Sequence, residues 1–577
     1  MSEHLRFDAR RFIARAWQLA RPYWSRSDER PLAWSLLLTI IGISLGLVYI
    51  AVLLNKWNRD FFNAIEARNY GEFLHLLTYF CVLAAIYILA AVLRAYLRQL
   101  LYVRWRIWLT REYLRDWLGD KVYYRLEQDA RGTDNPDQRI SEDLRVFTNT
   151  TLTLVLDLLQ QVVTVISFLA ILWSVSGPLD FTFAGDTWSV PGYMVWAAFI
   201  YAVVGTMLTY FVGRPLVRLN FLQERYEADL RFSLVRVREY AEGIALYAGE
   251  NAERTQLDGR IRHILANWRR IMRSQMQLNF FTNGYAQIAV VFPFFVAAPR
   301  YFSGAIQFGN LTQIADAFGT VQGSLSWFVQ SYADLASWKA TVDRLLTFEH
   351  AISAAREDAR GRRGVVRETA QTPVVRGEHV HLALPNGATI LKDSSFTFDA
   401  GERVLLSGAS GTGKSTLFRA IAGLWLYGGG RVEIPAGANV MFLPQKPYIP
   451  IASLRDALAY PASGSDYTDE AMRDALAAVG LAGLVGKLDE TATWSLALSG
   501  GEQQKLALAR AVLSKPDWLF LDEATASLDE ESERELYQLL ATRLPRTTVV
   551  SIAHRSQVAA YHTRHLAIEN AQLVPRG

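Results

Sequence analysis

The stretch from Leu498 to Asp529, LSGGEQQKLALARAVLSKPDWLFLDEATASLD, narrows the possible folds of this chain more than any other. Ser499, Gly500 and Gly501 form a turn opening a helix, and the apolar strand Trp518 to Leu521 delivers Asp522 and Glu523 at its end. Consecutive backbone N–H groups at a helix N-terminus attract anions, and adjacent carboxylates at a strand's carboxyl end can hold Mg²⁺ and poise a water. Upstream, GASGTGKS from Gly408 to Ser415 matches the phosphate-cradling pattern G-x-x-x-x-G-K-[ST]. The strand Arg403 to Leu406 feeds that loop, whose backbone wraps phosphates while Lys414 reaches the β- and γ-oxygens and Ser415 ligates Mg²⁺. Gly408, Ser410, Gly411, Thr412, Gly413, Lys414, Ser415 and Thr416 are the expected phosphate contacts. The carboxyl-terminal part therefore reads as an α/β nucleotide-binding domain.

The rest of the chain is of another kind. With 51% hydrophobic and only 20% charged residues over 577, the average is apolar for a soluble enzyme, and the length suggests several domains. Six apolar stretches are expected to cross a membrane: 32–54, 76–97, 151–175, 192–213, 279–300 and 308–330. The first runs 23 residues from Leu32 to Leu54 without a charge, and the last is the weakest. Residues 98–145 hold ten Lys or Arg and 214–275 hold twelve, against none in 177–191, so the two long loops are expected in the cytoplasm. The net charge of +4 is small and its arginines flank the membrane, which argues against nucleic acid as a partner. The single cysteine, Cys81, excludes an intrachain disulfide and cysteine-based metal clusters.

The division expected is an amphipathic N-terminal helix in 1–30, an all-α membrane domain in 31–348, a charged linker in 349–371 and the nucleotide-binding domain in 372–577. In the first, Ile13, Trp17 and Ala20 recur at helical spacing, with Arg10, Arg11, Arg15 and Arg21 elsewhere, as in a helix lying on the inner leaflet. No cleaved signal peptide is expected. Residues 102–118 and 221–247 keep helical periodicity beyond the bilayer, and Asn135-Pro136-Asp137 reads as a turn with a helix after it. Such extensions would transmit motion to the nucleotide domain.

Polar residues recur in the last two spans: Asn279, Asn283 and Gln287 in one, Gln313, Asp316, Thr320 and Ser324 in the other. Polar groups at membrane depth face protein or water, so two stripes suggest a wet cavity; interhelical hydrogen bonding is the alternative. Asp157, Gln160 and Gln161 would join the lining or sit at the cytoplasmic border.

The phosphate loop followed by LSGGE resembles the ATP-binding cassette (ABC) ATPases. The membrane half, through WNRDFFNAIE (57–66), NPDQRISEDLR (135–145), EADLRFSLVRVREYAEGIALYAGE (227–250) and APRYFSGAIQFG (298–309), is similar to the BacA/SbmA peptide-uptake proteins and the subfamily D fatty-acyl transporters. The resemblance implies an exporter-type six-helix fold, used by several members for import of peptides, cobalamin-like or other hydrophilic solutes. It implies that Gln445 senses Mg²⁺ or the attacking water, that Asp522 binds Mg²⁺ through water, and that Glu523 is the general base. Asp529 would lie in the D-loop, and His554 would contact the γ-phosphate. The segment PYIPIASLRDALAYP would receive the coupling turns. The sequence departs from the family at Ala383 and Leu384, ahead of Pro385, where an aromatic residue usually stacks on adenine.

With one phosphate loop and one LSGGE, and family members completing each site with Ser499 and Gly500 equivalents from the opposite domain, a homodimer with two equivalent sites is expected. The expected function is an ATP- and Mg²⁺-dependent transporter in a bacterial inner membrane, multi-pass, with its ATPase in the cytoplasm. It would carry peptides or cobalamin-like solutes, with uptake as the expected direction, although exporter-type architecture does not by itself settle direction. A lipid or acyl-CoA carrier and an ATP-gated channel or sensor are the alternatives; a soluble kinase is excluded by LSGGE together with the spans.

Overall fold

The computed structural model describes residues 9–128, 135–183, 186–360, 364–553 and 555–576. It divides into two compact units, Met1–Asp116 with Thr133–His350, and Trp117–Gly132 with Ala351–Gly577.

The first unit is helical. Its elements are α1 (Ala9–Arg26), α2 (Arg30–Glu66) and α3 (Tyr70–Leu118), and, beyond α4 (Val122–Gln128) of the other unit, α5 (Pro136–Gln138), α6 (Leu144–Ser176), α7 (Tyr193–Glu239), α8 (Ala241–Leu246), α9 (Glu250–Phe302), α10 (Phe308–Gln330) and most of α11 (Tyr332–Arg360). A β1–β2 hairpin, Pro178–Phe183 with Asp186–Pro191, joins α6 to α7. At 1.5 Å per residue α3, α7 and α9 are about 70–80 Å long, more than twice a hydrocarbon core of about 30 Å. The helical extensions of the basic loops are thus present.

Five helical stretches, Arg30–Glu66, Tyr70–Gln128, Pro136–Ser176, Tyr193–Glu239 and Glu250–Phe302, are long and apolar enough to cross a membrane. The sixth expected span is the helix α10, but it does not reach that apolarity. The reason lies in its surroundings. It packs against α2, α6, α7 and α9, with Ile314, Ala317, Phe318 and Val321 fully buried, so much of its surface meets protein. Gln313, 2% exposed, donates to Asn55 Oδ1 at 3.1 Å, and Asn55 Nδ2 donates to the Gln313 carbonyl at 3.2 Å and to Asp316 Oδ2 at 2.6 Å. Gln313 therefore joins two helices and does not line an open surface, which corrects its expected place on a cavity wall.

Two of the quoted membrane motifs meet. Asn63 Oδ1 accepts from Gly309 N at 2.8 Å and Glu66 Oε2 from Phe308 N at 3.1 Å, so the end of α2 caps the first turn of α10. A Cβ on Gly309 would run into the carbonyl of Arg59, so glycine is required by this close approach. On α1 the packed face is Phe12, Ala16, Leu19, Ala20 and Tyr23, with Phe12 edge-on to Trp338 and Tyr23 stacked on Trp105. Of the residues expected at the membrane surface, Ala20 is instead buried in protein, while Ile13 and Trp17 remain exposed.

The second unit is α/β. Its elements are α4, β3 (Val366–Ala370), β4 (Val374–Ala383), β5 (Thr389–Asp399), β6 (Arg403–Ser407), α12 (Lys414–Ile421), β7 (Gly428–Pro435), β8 (Val440–Leu443), β9 (Ala452–Ser453), α13 (Leu454–Ala459), α14 (Asp469–Ala478), β10 (Thr491–Ala492), α15 (Trp494–Ala497), α16 (Gly500–Ser514), β11 (Trp518–Asp522), α17 (Glu530–Arg543), β12 (Thr548–Ile552), β13 (Arg564–Glu569) and β14 (Gln572–Pro575). Six strands run in the order β14-β13-β6-β12-β11-β8, parallel except for β14, and four more form the sheet β3-β7-β4-β5. Most of the described residues of the expected linker fall in regular elements. Residues 349–360 complete α11, and Val366–Ala370 is a strand paired with β7, because its alternating side chains suit a half-covered sheet.

The turn near residue 120 also belongs to this unit. Val122 and Leu126 of α4 are buried, and Lys121 Nζ donates to the Ala422 carbonyl at 3.2 Å, just past the end of α12. The α5 turn begins as expected, with Asn135 left-handed at φ 52° and Pro136 opening the helix.

Candidate functional site

Three parallel neighbours, β6, β12 and β11, bring their carboxyl ends together, where ligands bind in open α/β sheets. The phosphate loop follows β6, Asp522 and Glu523 close β11, and Ala553 follows β12. His554, the next residue, lies outside the described residues.

Within the loop, Gly408 and Gly413 sit at φ 147° and 95°, and a Cβ on Gly413 would strike Ile390, so the turn into α12 needs glycine there. Lys414 is buried and donates to the carbonyls of Gly408 and Ala409 at 2.8 and 2.9 Å, which holds the ammonium over the cradle. Burial lowers its pKa below the ordinary lysine value, against the carboxylates of Glu523 and Asp522, which raise it. Ser415 Oγ donates to Asp522 Oδ1 at 2.8 Å. Burial raises the Asp522 pKa, the Ser415 hydrogen bond opposes it, and neighbouring Glu523 adds to the rise. A hydroxyl and a carboxylate in contact are hard oxygen donors suited to Mg²⁺, which takes few protein ligands and completes its shell with water and phosphate.

Glu523 has φ 50°, an unfavourable region for a non-glycine residue. It nonetheless directs its carboxylate to Gln445, whose Nε2 donates to Glu523 Oε2 at 3.1 Å. Ser415, Asp522, Glu523 and Gln445 are thus linked in one constellation through adjacent residues and two hydrogen bonds.

The signature turn is self-capped. Ser499 Oγ accepts from Glu502 N at 3.4 Å and donates to Glu502 Oε2 at 2.8 Å, while Glu502 Oε2 accepts from Ser499 N at 2.9 Å. These bonds hold the Glu502 pKa below the ordinary carboxylate value. Ser499 and Gly500 are exposed, and among the described residues the hydrogen bonds of the Ser499 side chain stay within this turn. Asp529 caps α17, accepting from Ser532 N at 2.8 Å.

Two residues that carry this geometry escaped the motif reading. Gln504, 2% exposed, donates to the Gln445 carbonyl at 3.1 Å and accepts from Ser527 N at 3.0 Å, tying the signature helix to both the glutamine loop and the D-loop. Arg510, on the same helix, donates to Tyr448 O at 2.7 Å and to Ala457 O at 2.9 and 2.7 Å, gripping the segment 447–461 from below. Its burial lowers the guanidinium pKa to about 10. A buried Gln and Arg on an otherwise apolar helix face were the available signal. At the expected adenine position, Trp425 Nε1 donates to the Ala383 carbonyl at 3.0 Å and Trp425 is buried, so its ring does not substitute for the missing aromatic.

In the helical unit, Asn279, Asn283, Gln287 and Asp316 are exposed and Thr320 is half-buried, its hydroxyl bonded to the Asp316 carbonyl at 3.0 Å. Ser324 is buried.

The comparisons agree with both halves. The family described as ABC transporter transmembrane region 2 matches residues 25–302, and the family described as ABC transporter matches 391–526. The chain is 34% identical to the Inner membrane ABC transporter ATP-binding protein YddA of Escherichia coli K12 over 95% of this chain and 96% of that protein. This chain belongs to the ABC transporters. The transporter is a membrane helical region fused to an ATPase coupled to transport, and it is related to subfamily D. It is 33% identical to the ABC transporter D family member 2, chloroplastic, of Arabidopsis thaliana over 96% of this chain and 86% of that one. It is 29% identical to the Lysosomal cobalamin transporter ABCD4 of Mus musculus over 81% and 80%.

Proposed function

We propose that the transporter works as a homodimer of half-molecules in a bacterial inner membrane, with its ATPase unit in the cytoplasm, and draws peptides or cobalamin-like solutes inward through a water-lined gap between the copies. The observation that carries this reading is the exposed line Asn279, Asn283 and Gln287 on α9. Amides within the apolar span of this helix are costly against lipid and acceptable against water or a second copy. The likeness to BacA/SbmA proteins and the cobalamin transport named for one relative favour hydrophilic cargo.

ATP binding places phosphates in the loop from Gly408 to Thr416, and Lys414 exchanges its two carbonyl partners for phosphate oxygens. Ser415 and Asp522, with Gln445 beside them, would hold Mg²⁺, which would neutralise charge on the phosphates. Glu523 accepts the proton of the hydrolytic water, and Gln445 orients that water through its hydrogen bond to Glu523. His554 contacts the γ-phosphate. Ser499, Gly500 and Gly501 of one copy close over the loop of the other, with Asp529 at the seam. Closure is driven by nucleotide because the signature turn of the opposite copy adds phosphate contacts that the open state lacks.

Labelled peptide, cobalamin and acyl-CoA offered to oriented proteoliposomes test the reading. ATP-dependent accumulation of peptide or cobalamin, absent with Glu523→Gln, is expected. Acyl-CoA movement alone would favour the lipid carrier, and ion currents persisting in Glu523→Gln would favour a channel.

A further inference from the structure

A cavity of about 670 Å³ opens between α7 and α9, lined by Pro215, Arg218, Leu219, Leu222, Arg269, Arg270, Arg273 and Ser274. Its size suits a small polar group. Its charge is unusual, since four guanidiniums gather in one recess and none of them has an ion pair among the described residues. Neither helix supplies a counter-charge nearby. No Asp or Glu occurs in α7 before Glu224, nor in α9 after Asp258. Arg269 and Arg273 stand one helical turn apart, where like charges repel.

The recess is held in shape from beneath. Asn267, 2% exposed, donates to the Leu219 carbonyl at 2.9 Å and to Gln223 Oε1 at 3.0 Å, fixing α9 against α7 beside the arginines. The cavity also lies where the apolar part of both helices ends. Towards the bilayer, Tyr210, Phe211, Met276 and Phe280 are exposed. Towards the basic loops, arginines continue. An amphiphile with an anionic head and apolar tails would match both sides of this boundary, and basic recesses at such positions suit lipid headgroups.

We propose that this cavity seats a phosphate-bearing headgroup, its oxygens received by Arg218, Arg269, Arg270 and Arg273. Arginine forks bind phosphate through paired charge-assisted hydrogen bonds. This site shares no residue with the nucleotide site and does not depend on the proposed cargo.

The test uses the full chain purified in mild detergent. One arm measures binding of phosphatidylglycerol in phosphatidylcholine nanodiscs, and the other measures binding of soluble pyrophosphate to delipidated protein. The cavity variant is Arg269→Gln/Arg270→Gln/Arg273→Gln. The control variant, Arg231→Gln/Arg238→Gln/Arg254→Gln, removes the same charge from the same two helices outside the recess. The expected result is a loss of roughly tenfold or more in the cavity variant and little change in the control. Loss in the lipid arm assigns the site to a membrane headgroup, and loss in the pyrophosphate arm alone assigns it to a soluble phosphate compound. Equal binding by wild type and cavity variant in both arms, or equal loss in the control, would overturn the proposal. If the glutamine variant fails to fold, Arg269→Lys/Arg270→Lys/Arg273→Lys keeps the charge while removing the fork, and a reduced affinity is again expected.

Discussion

Glu523 is held in a left-handed backbone conformation that disfavours any side chain, and its carboxylate is bonded to Gln445. That combination makes it the residue whose removal isolates chemistry from binding. Glu523→Gln keeps the shape and loses the base, so ATP turnover should fall by about 10²–10⁴-fold while nucleotide affinity stays near wild type, measured by phosphate release and by equilibrium binding. A loss of binding equal to the loss of turnover would contradict the assignment. At the back of the same unit, His562 is buried with Nδ1 at 2.8 Å from the Val558 carbonyl and Nε2 at 2.8 Å from Ser551 Oγ. The Val558 carbonyl makes Nδ1 the donor, and in the neutral ring Nε2 accepts from the Ser551 hydroxyl. Burial lowers its pKa to about 4 from 6.5. Between those values the unfolded chain binds a proton that the folded chain excludes, so this stabilisation is complete above pH 6.5 and is lost as pH falls towards 4. Thermal denaturation of the full chain should show this dependence, reduced in His562→Gln relative to wild type.

Among the elements, two clamps set the geometry. Asp143, 2% exposed in side chain, receives Arg344 through two hydrogen bonds at 2.9 and 2.6 Å and Arg139 at 2.7 Å, joining the turn before α6 to α11. Asp143→Ala leaves two guanidiniums without their anion and should destabilise the helical unit by about 2–4 kcal/mol, below the range for a fully enclosed pair because Arg344 is 41% exposed. A melting temperature unchanged from wild type would contradict this. Gln504 is the second clamp. Gln504→Ala should leave ATP binding intact and lower turnover, because the Gln445 carbonyl and the Ser527 amide lose their common partner. The phosphate loop, the signature and the Asp-Glu pair were legible in the sequence because each is a contiguous run whose chemistry is local. The roles of Gln445 and Glu523 came only from family likeness and the bond between them was not anticipated, while Gln504 and Arg510 were missed because their partners lie 23 to 62 residues away. The charged run at 349–371 hid a helix end and an edge strand, since an exposed strand and a linker share composition. Gln313 read as cavity lining because periodicity identifies a stripe but not the helix opposite, here the one bearing Asn55.

On the scale of the whole molecule, each chain carries one phosphate loop and one signature, and the exposed Ser499 turn makes its side-chain hydrogen bonds within itself among the described residues. A site built from two copies would use both surfaces. Complementation between two inactive variants measures this directly. Lys414→Ala removes the phosphate ligand, and Ser499→Arg blocks the signature; each homodimer should be inactive. In a purified mixed dimer, shared sites leave one intact loop facing one intact signature, and ATPase activity should return above either homodimer. If each chain instead completes its own site, both halves of the mixed dimer are broken, and no activity will return.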